Sequence, residues 1–515
     1  MQTVTKQTVT IGIGPLTPTD LVAIARHDAT VVLAEESLAE IARTRAVVEA
    51  FAVDTEPHYG VSTGFGALAT KHIPADRRIA LQRSLIRSHA AGSGPEVERE
   101  VVRALMALRL STLATGRTGV RPVVAQTYAD LLNAEITPIV REYGSLGCSG
   151  DLAPLAHCAL AAMGEGEVRN RDGAAQPAAD ALAAAGIAPV ELREKEGLAL
   201  INGTDGMLGM LLLALADLRD LVAVADVTAA MSVEALLGTD AVFAADLQAL
   251  RPQPGQAVSA ANLRALLAGS AIVASHRGPE CTRVQDAYSL RCTPAVHGAV
   301  RDTIAHAATV AGYELAAAVD NPVVTLDDRL ESNGNFHGAP VGYVLDFLAI
   351  AVADLASISE RRTDRHLDRS RSAGLPPFLA HDPGVDSGHM IAQYTQAAIV
   401  SELKRLAVPA SVDSIPSSAM QEDHVSMGWS AARKLRRSID GLTRVLAIEL
   451  LTAARSLDLR GPAPAAATAA VRAALRTAVE GPGPDRYLSA EIAAAVEQIA
   501  DGTALAAARS VADIT

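Results

Sequence analysis

From Asp205 onward the chain repeats one pattern. Long segments carry apolar residues at helical spacing, and short loops rich in Gly and Asn separate them. The first predicted helix runs from about Gly206 to Leu237, with Asp205 as N-cap and Gly238 as its stop. At 1.5 Å per residue it would be roughly 48 Å long. A second begins at Pro294 behind Thr293 and ends before Asn321-Pro322. A third starts at Pro340, a fourth covers about Ser387 to Val408 and stops at Pro409, and a fifth covers about Ser426 to Leu457. Antiparallel packing of such helices makes a bundle. The last fifty residues, rich in Ala, Pro and Gly, predict peripheral helices and turns.

The beginning of the chain is mixed. Thr8–Gly12 and Val31–Leu33 read as short strands, Thr17 offers N-cap chemistry to a helix starting near Leu21, and an amphipathic helix covers about Ser37 to Ala52. The expected fold class is therefore mainly α. Residues 1–204 form a smaller mixed region, and residues 205–515 form a long-helix bundle with peripheral C-terminal helices.

Composition sharpens this picture. Hydrophobic residues make up 49% of the 515 and aromatic residues only 3%, so Ala, Leu and Val must build the core. Small side chains favour helices and let them approach closely. The net charge of −13 favours solubility and argues against a nucleic-acid-binding surface. Four cysteines in a chain of this length, with no C-x-x-C pair, are not a disulfide framework and fit a reducing cytoplasm. The N-terminal residues lack a charged region followed by an apolar one, and the stretch Met207–Ala216 is too short to span a bilayer. Neither secretion nor membrane insertion is expected.

The unusual chemistry falls in six loops. They are Tyr59–Gly66, Tyr143–Asp151, Asn202–Gly206, Gln285–Arg291, Asn333–Gly338 and Gln421–Ser426. Taken singly, each is a turn built by Gly and Asn with an aromatic plugging a bundle end. Taken together, they concentrate a chain poor in aromatics at loops on a rigid scaffold, where functional residues gather.

One of these loops can make an electrophile from its own backbone. Gly150 has no side chain, so its amide nitrogen can reach the carbonyl carbon of Cys148. Attack and loss of water close a five-membered ring, and loss of the Ser149 hydroxyl as water leaves an exocyclic methylidene. No encoded side chain is a good electrophile, so a chain that must activate an amine has to build or borrow one. A competing motif is Gly60-Val-Ser-Thr-Gly64, which fits the G-x-S-x-G elbow of serine hydrolases. Its flanks predict neither the strand nor the helix that an elbow needs. A non-catalytic helical scaffold is the third class and predicts an unmodified mass. No zinc-spaced Cys/His pair, phosphate loop or dinucleotide fingerprint is present, so neither metal nor nucleotide is expected.

The run Gly144-Ser-Leu-Gly-Cys-Ser-Gly-Asp-Leu-Ala-Pro-Leu-Ala-His157 resembles the signature of the aromatic amino-acid ammonia-lyase family, and the other five loops resemble that family too. In that family the tripeptide condenses to 4-methylideneimidazol-5-one (MIO). The usual first residue is Ala, and here it is Cys148. The resemblance implies a catalytic set of Tyr59, Cys148, Ser149, Gly150 and Tyr288, with Tyr59 as the base. It implies a substrate-binding set of His89, Asn202, Gln285, Arg291, Phe336 and Glu422. Ser88-His89 resembles the histidine-specific branch, which implies L-histidine as substrate and trans-urocanate and ammonia as products. Tyrosine- or phenylalanine-specific lyases and aminomutases of the same family are the alternatives. The resemblance also implies a homotetramer with shared active sites.

On the residues alone, each assignment has a plainer counterpart. Tyr59 also reads as a hydrogen-bonded loop tyrosine, His89 as a core histidine, Asn202 as an Asx turn, Glu422 as a solvated acid and Phe336 as a core plug. Arg291 also reads as a structural ion-pair partner. As a base, Tyr59 would need a depressed pKa or a nearby positive field, since an unperturbed tyrosine titrates near pH ~10. Gln285, Tyr288 and Arg291 are spaced to share one face of a local helix. Asp205 stands where the family usually has Gln, and it is expected to cap a helix.

Overall fold

A computed structural model describes residues 6–278, 281 and 283–515. It is mainly helical, with four small sheets of two or three short strands. The five helices expected after Asp205 run Asp205–Ala235, Thr293–Leu315, Ala339–Leu367, Met390–Leu406 and Gly428–Asp458. Each lies within a few residues of its sequence prediction, except that the second stops at Leu315, six residues short of Asn321. The C-terminal residues form Ala466–Leu475, Leu488–Ala500 and Thr503–Arg509, as peripheral helices were expected to. The apolar window that best matches a membrane span is not Met207–Ala216 but part of Ala339–Leu367. That helix is long and apolar enough to cross a bilayer, and most of the window is buried within the protein.

By packing, the chain divides into two compact units that are not contiguous in sequence. One comprises Met1–Leu213, Ala308–Asp346 and Pro409–Arg433, and the other Ala214–Ala307, Phe347–Val408 and Lys434–Thr515. The boundary expected at 204/205 therefore divides the chain differently from its contacts. Residues 308–346 and 409–433 pack with the N-terminal region because their loops dock there.

In the first unit, strands Thr8–Ile11 and Thr30–Leu33 pair in parallel, Thr8 opposite Thr30. Thr17 caps the helix Pro18–Arg26 by accepting from the Asp20 amide at 3.1 Å. The centre is the helix Arg99–Ala114, buried from Val101 to Ala114. Two arginines on it are fully buried and donate to several chain segments. Arg103 donates to the carbonyls of Ile24 (2.8 Å) and Leu132 (3.1 Å). Arg109 donates to the carbonyls of Ala199 (2.9 Å), Asn202 (3.2 Å) and Val319 (3.2 Å) and to the Asp205 carboxylate (2.6 Å). A fork of fixed N–H groups can tie several chain segments together in this way.

In the second unit, Ala-, Leu- and Val-rich helices enclose a buried charge pair. The Glu449 carboxylate accepts from Thr228 (2.9 Å), Ser232 (2.8 Å), Ser359 (2.6 Å) and the Arg362 guanidinium (2.9 Å). With its oxygens paired, this carboxylate is held below the ordinary range despite complete burial. The C-terminal residue is pinned, since the Thr515 carbonyl accepts from Asn262 (2.8 Å) and Arg301 (2.9 Å).

Candidate active site

The Cys148-Ser149-Gly150 loop is held from several sides of the first unit. The Met427 amide donates to Leu146 O at 2.9 Å, the Gly338 amide to Gly147 O at 3.2 Å, and Ser426 Oγ to the same carbonyl at 2.8 Å. Gly147 and Gly150 take positive φ values of +68° and +79°. A Cβ on Gly150 would overlap the backbone of Gly203, so only glycine fits. The Asp151 amide donates to Gly203 O at 2.7 Å.

Asp151 follows the tripeptide at the N-cap of the helix Leu152–Ala162. Its carboxylate accepts from Ser145 Oγ and the Met207 amide, both at 2.8 Å. Complete burial, aided by the nearby Asp205 charge, raises its pKa to about 7. Asp205 is the first residue of its helix rather than its N-cap. Its side chain pairs with Arg109, and the Leu208 amide turns back to Thr204 O instead. A carboxylate beside a buried guanidinium gains more from that pair than from capping.

Beside the loop lies a cavity of about 480 Å³ within the first unit. Its polar lining includes Tyr59, Ser88, His89, Ser149, Asn202 and Glu422, and its apolar walls include Phe65, Leu81, Leu85 and Leu198. Among the residues singled out in the sequence, Tyr59, His89, Ser149, Asn202 and Glu422 come together here. Cys148 is buried next to it, with Sγ donating to Glu422 Oε2 at 3.2 Å, and Ser149 Oγ donates to Glu422 Oε1 at 3.2 Å. Phe336 is half-buried on the Asn333–Gly338 loop and does not line the cavity.

Gln285, Tyr288 and Arg291 belong to the second unit and do not line this cavity. The expected shared helical face is reduced to one turn, Tyr288–Arg291, and Gln285 precedes it in chain without regular secondary structure. Arg291 lies over the Tyr288 ring, 4.7 Å from its centroid, and Nε donates to Asp286 O at 2.9 Å. Tyr288 and Gln285 are exposed.

The protonation states follow from burial. Tyr59 accepts from the Gly66 amide at 3.2 Å, which favours its phenolate. Burial outweighs this, and the charges set against it, Glu422 and Asp320, are negative. Its pKa is raised, so the depressed value that a base needs is not supplied by these groups. Burial lowers the pKa of His89, which is therefore neutral near pH 7. Its Nδ1 lies 2.9 Å from Leu85 O. A carbonyl only accepts, so Nδ1 carries the proton and Nε2 is an acceptor. The Asn202 amide donates to Asn321 O at 3.2 Å, while its buried Oδ1 has no partner among the described residues.

Three residues that sequence reasoning missed shape this site. Ser417 Oγ donates to Glu422 Oε2 at 2.7 Å, Lys71 adds a positive charge to the cavity lining, and Arg109 ties down the Asn202 loop. None had a sequence signal beyond nearness to a singled-out loop. Ser62 of the G-x-S-x-G run is fully buried and accepts from the His58 amide at 2.9 Å. It lies in a turn with no exposed hydroxyl, so the hydrolase elbow is not formed. Among the described residues no group of three or more His, Cys, Asp and Glu side chains could hold a metal ion.

The sequence profile of the aromatic amino acid lyase family matches residues 16–477. This chain belongs to that family. It is 66% identical over 506 residues to a histidine ammonia-lyase of Streptomyces coelicolor, covering 98% of this chain and 99% of the relative. It is 65% identical over 508 residues to a histidine ammonia-lyase of Streptomyces griseus, covering 98% and 99%. Among solved structures, tyrosine aminomutase from Streptomyces globisporus superposes with a TM-score of 0.93 at 39% identity, covering 99% of both chains. Histidine ammonia-lyase from Trypanosoma cruzi superposes with a TM-score of 0.90 at 37% identity, covering 98% and 96%.

Proposed function

We propose that this enzyme is a histidine ammonia-lyase that converts L-histidine to trans-urocanate and ammonia without oxidation. One observation carries the reading. His89, whose Nε2 is left as an acceptor, and the Glu422 carboxylate both line one cavity. The ring that satisfies two acceptors is a two-donor ring, the imidazolium of histidine. A phenol supplies one donor and a phenyl group none. Each would leave a buried acceptor unpaired, at a cost of about 1–3 kcal/mol. The same argument disfavours a tyrosine aminomutase, although one is a close structural neighbour. The histidine-specific relatives at 65–66% identity support the same choice.

The Cys148-Ser149-Gly150 loop fits MIO. A cradle at Gly150 that a Cβ would fill suits a condensed backbone ring at this place, and the buried Asn202 Oδ1 is left to accept from the substrate amine. Once formed, the group supplies an electrophilic carbon that activates the substrate amine as a leaving group. The chain's own residues do the rest. His89 and Glu422 hold the imidazolium, whose charge makes the β-hydrogen more acidic. Tyr59 Oη takes that proton. Buried beside negative charges, Tyr59 becomes a competent base when positive charge enters the cavity, and the bound imidazolium brings it. The helix Leu152–Ala162 begins directly after the tripeptide and its N-cap, so its N-terminal dipole favours negative charge nearby.

Gln285, Tyr288 and Arg291 lie outside this cavity. We assign them to the sites of neighbouring subunits in a homotetramer, where Arg291 would grip the substrate carboxylate bidentately. Four free thiols are compatible with a cytoplasmic setting.

The test compares wild type with Ser149→Ala by intact mass and by urocanate absorbance. Wild type should weigh two water molecules less than its encoded mass and release urocanate. The variant should do neither. An unmodified wild type with full activity overturns the reading.

A further inference from the structure

Glu422 sits at the end of a strained hairpin. Ser417 and Glu422 exchange backbone hydrogen bonds at 2.9 and 3.3 Å, closing a loop whose turn residues Ser418, Ala419 and Met420 all have positive φ, +51°, +53° and +69°. Non-glycine residues adopt this region only at an energetic cost, so surrounding contacts must over-determine the turn. Those contacts converge on one carboxylate. Glu422 Oε2 accepts from Ser417 Oγ at 2.7 Å and from Cys148 Sγ at 3.2 Å, while Oε1 accepts from Ser149 Oγ at 3.2 Å.

The two oxygens have different fates. Condensation removes the Ser149 hydroxyl as water, so Oε1 loses its only donor among the described residues. Oε2 keeps both of its donors, because ring closure consumes the Cys148 carbonyl and leaves its thiol intact. Burial and the adjacent carboxylate push the Cys148 thiol up to about 12, so it stays protonated and remains a donor at neutral pH. An alanine at 148, the usual residue of the family signature, has no such donor.

We propose that Cys148 and Ser417 are positioning residues for histidine recognition. They clamp Oε2 of Glu422 so that Oε1, masked by the Ser149 hydroxyl in the uncondensed chain, is presented to the substrate imidazolium once that hydroxyl has left. The inference rests on the proposed role of Glu422 in holding the imidazole ring. It makes the tripeptide do two things: its backbone becomes the electrophile, and its first side chain orients the specificity carboxylate.

Binding of urocanate, which needs no turnover, reads this directly. Titration calorimetry would compare wild type with Cys148→Ala, Cys148→Ser, Ser417→Ala and Glu422→Gln, each checked by intact mass for loss of two waters and by circular dichroism for folding. Losing one donor to a carboxylate should weaken urocanate by about threefold to tenfold in Cys148→Ala and about tenfold in Ser417→Ala. Cys148→Ser keeps a donor and should restore binding to within about twofold of wild type. The Michaelis constant for histidine should rise in the same order. Wild-type urocanate affinity in both alanine variants, with affinity lost in Glu422→Gln, overturns the clamp. Wild-type affinity in Glu422→Gln itself overturns instead the imidazole-binding role on which the clamp rests. A condensed, folded Cys148→Ser that binds as weakly as Cys148→Ala also overturns it.

Discussion

Gly150 and Gly203 are paired through a parallel backbone bridge, with the Asp151 amide donating to Gly203 O at 2.7 Å. Neither position has room for a side chain. A Cβ on Gly150 meets the Gly203 backbone, and a Cβ on Gly203 meets the Arg109 guanidinium. The bridge sets the backbone of residues 148–150 against a loop that Arg109 holds in the core.

Gly203→Ala should therefore disturb the geometry from which Gly150 attacks Cys148. Overpacking at such a point costs about 1–3 kcal/mol of stability. The expected result is a folded protein whose mass retains water at the tripeptide and whose kcat/KM falls by about 10²-fold or more. Intact mass and urocanate release check it. A fully condensed, fully active variant would show that the bridge does not guide ring closure.

Tyr59 lines the cavity of the first unit, whereas Arg291 belongs to the second unit and is not among the lining residues. If neighbouring subunits share sites, one defect on each partner can be complemented. Homo-oligomers of Tyr59→Phe or Arg291→Ala should each be nearly inactive. Mixed oligomers should regain a measurable fraction of wild-type activity. No recovery in an oligomer verified as mixed would argue for sites built from one chain.

His366 and His389 are fully buried, and burial lowers both pKa values to about 3. His366 Nδ1 sits 2.8 Å from Ser456 Oγ, and its Nε2 has no partner among the described residues. Both rings stay neutral in the folded protein while the unfolded chain takes up protons below about pH 6.5. The folded pKa is depressed, so stability is complete above pH ~6.5 and falls as pH drops toward 3. Each histidine contributes a slope of about 1.4 kcal/mol per pH unit across that window. Denaturant unfolding between pH 7 and pH 4 should show this loss. A double variant carrying His366→Gln and His389→Gln should lose stability at pH 7 but show a shallower acid slope. An unchanged slope would place acid sensitivity elsewhere.

Much of the scaffold was legible because its signals are local. Pro294 behind Thr293, Pro409 after Val408 and the apolar spacing after Asp205 each mark a helix boundary within a few residues. The Asn202–Gly206 loop was visible, but the partner of Asp205 was not, because Arg109 stands on another helix, 96 residues away. The face expected from Gln285, Tyr288 and Arg291 failed for a related reason. Spacing of three implies one face only where the chain continues as helix, and here just four residues do. Nothing in the sequence set Ser417 apart from other loop serines.

By itself the sequence determined the helices, the loops between them and the reactive tripeptide. Helical period, caps and ring closure between near neighbours depend on atoms already close along the chain. Tertiary structure alone decided that burial keeps His89 neutral, that Tyr59 is held protonated, and that Glu422 meets Ser149 across 273 residues. Those outcomes are set by burial and by fields acting through space, which exist only once distant segments have packed together.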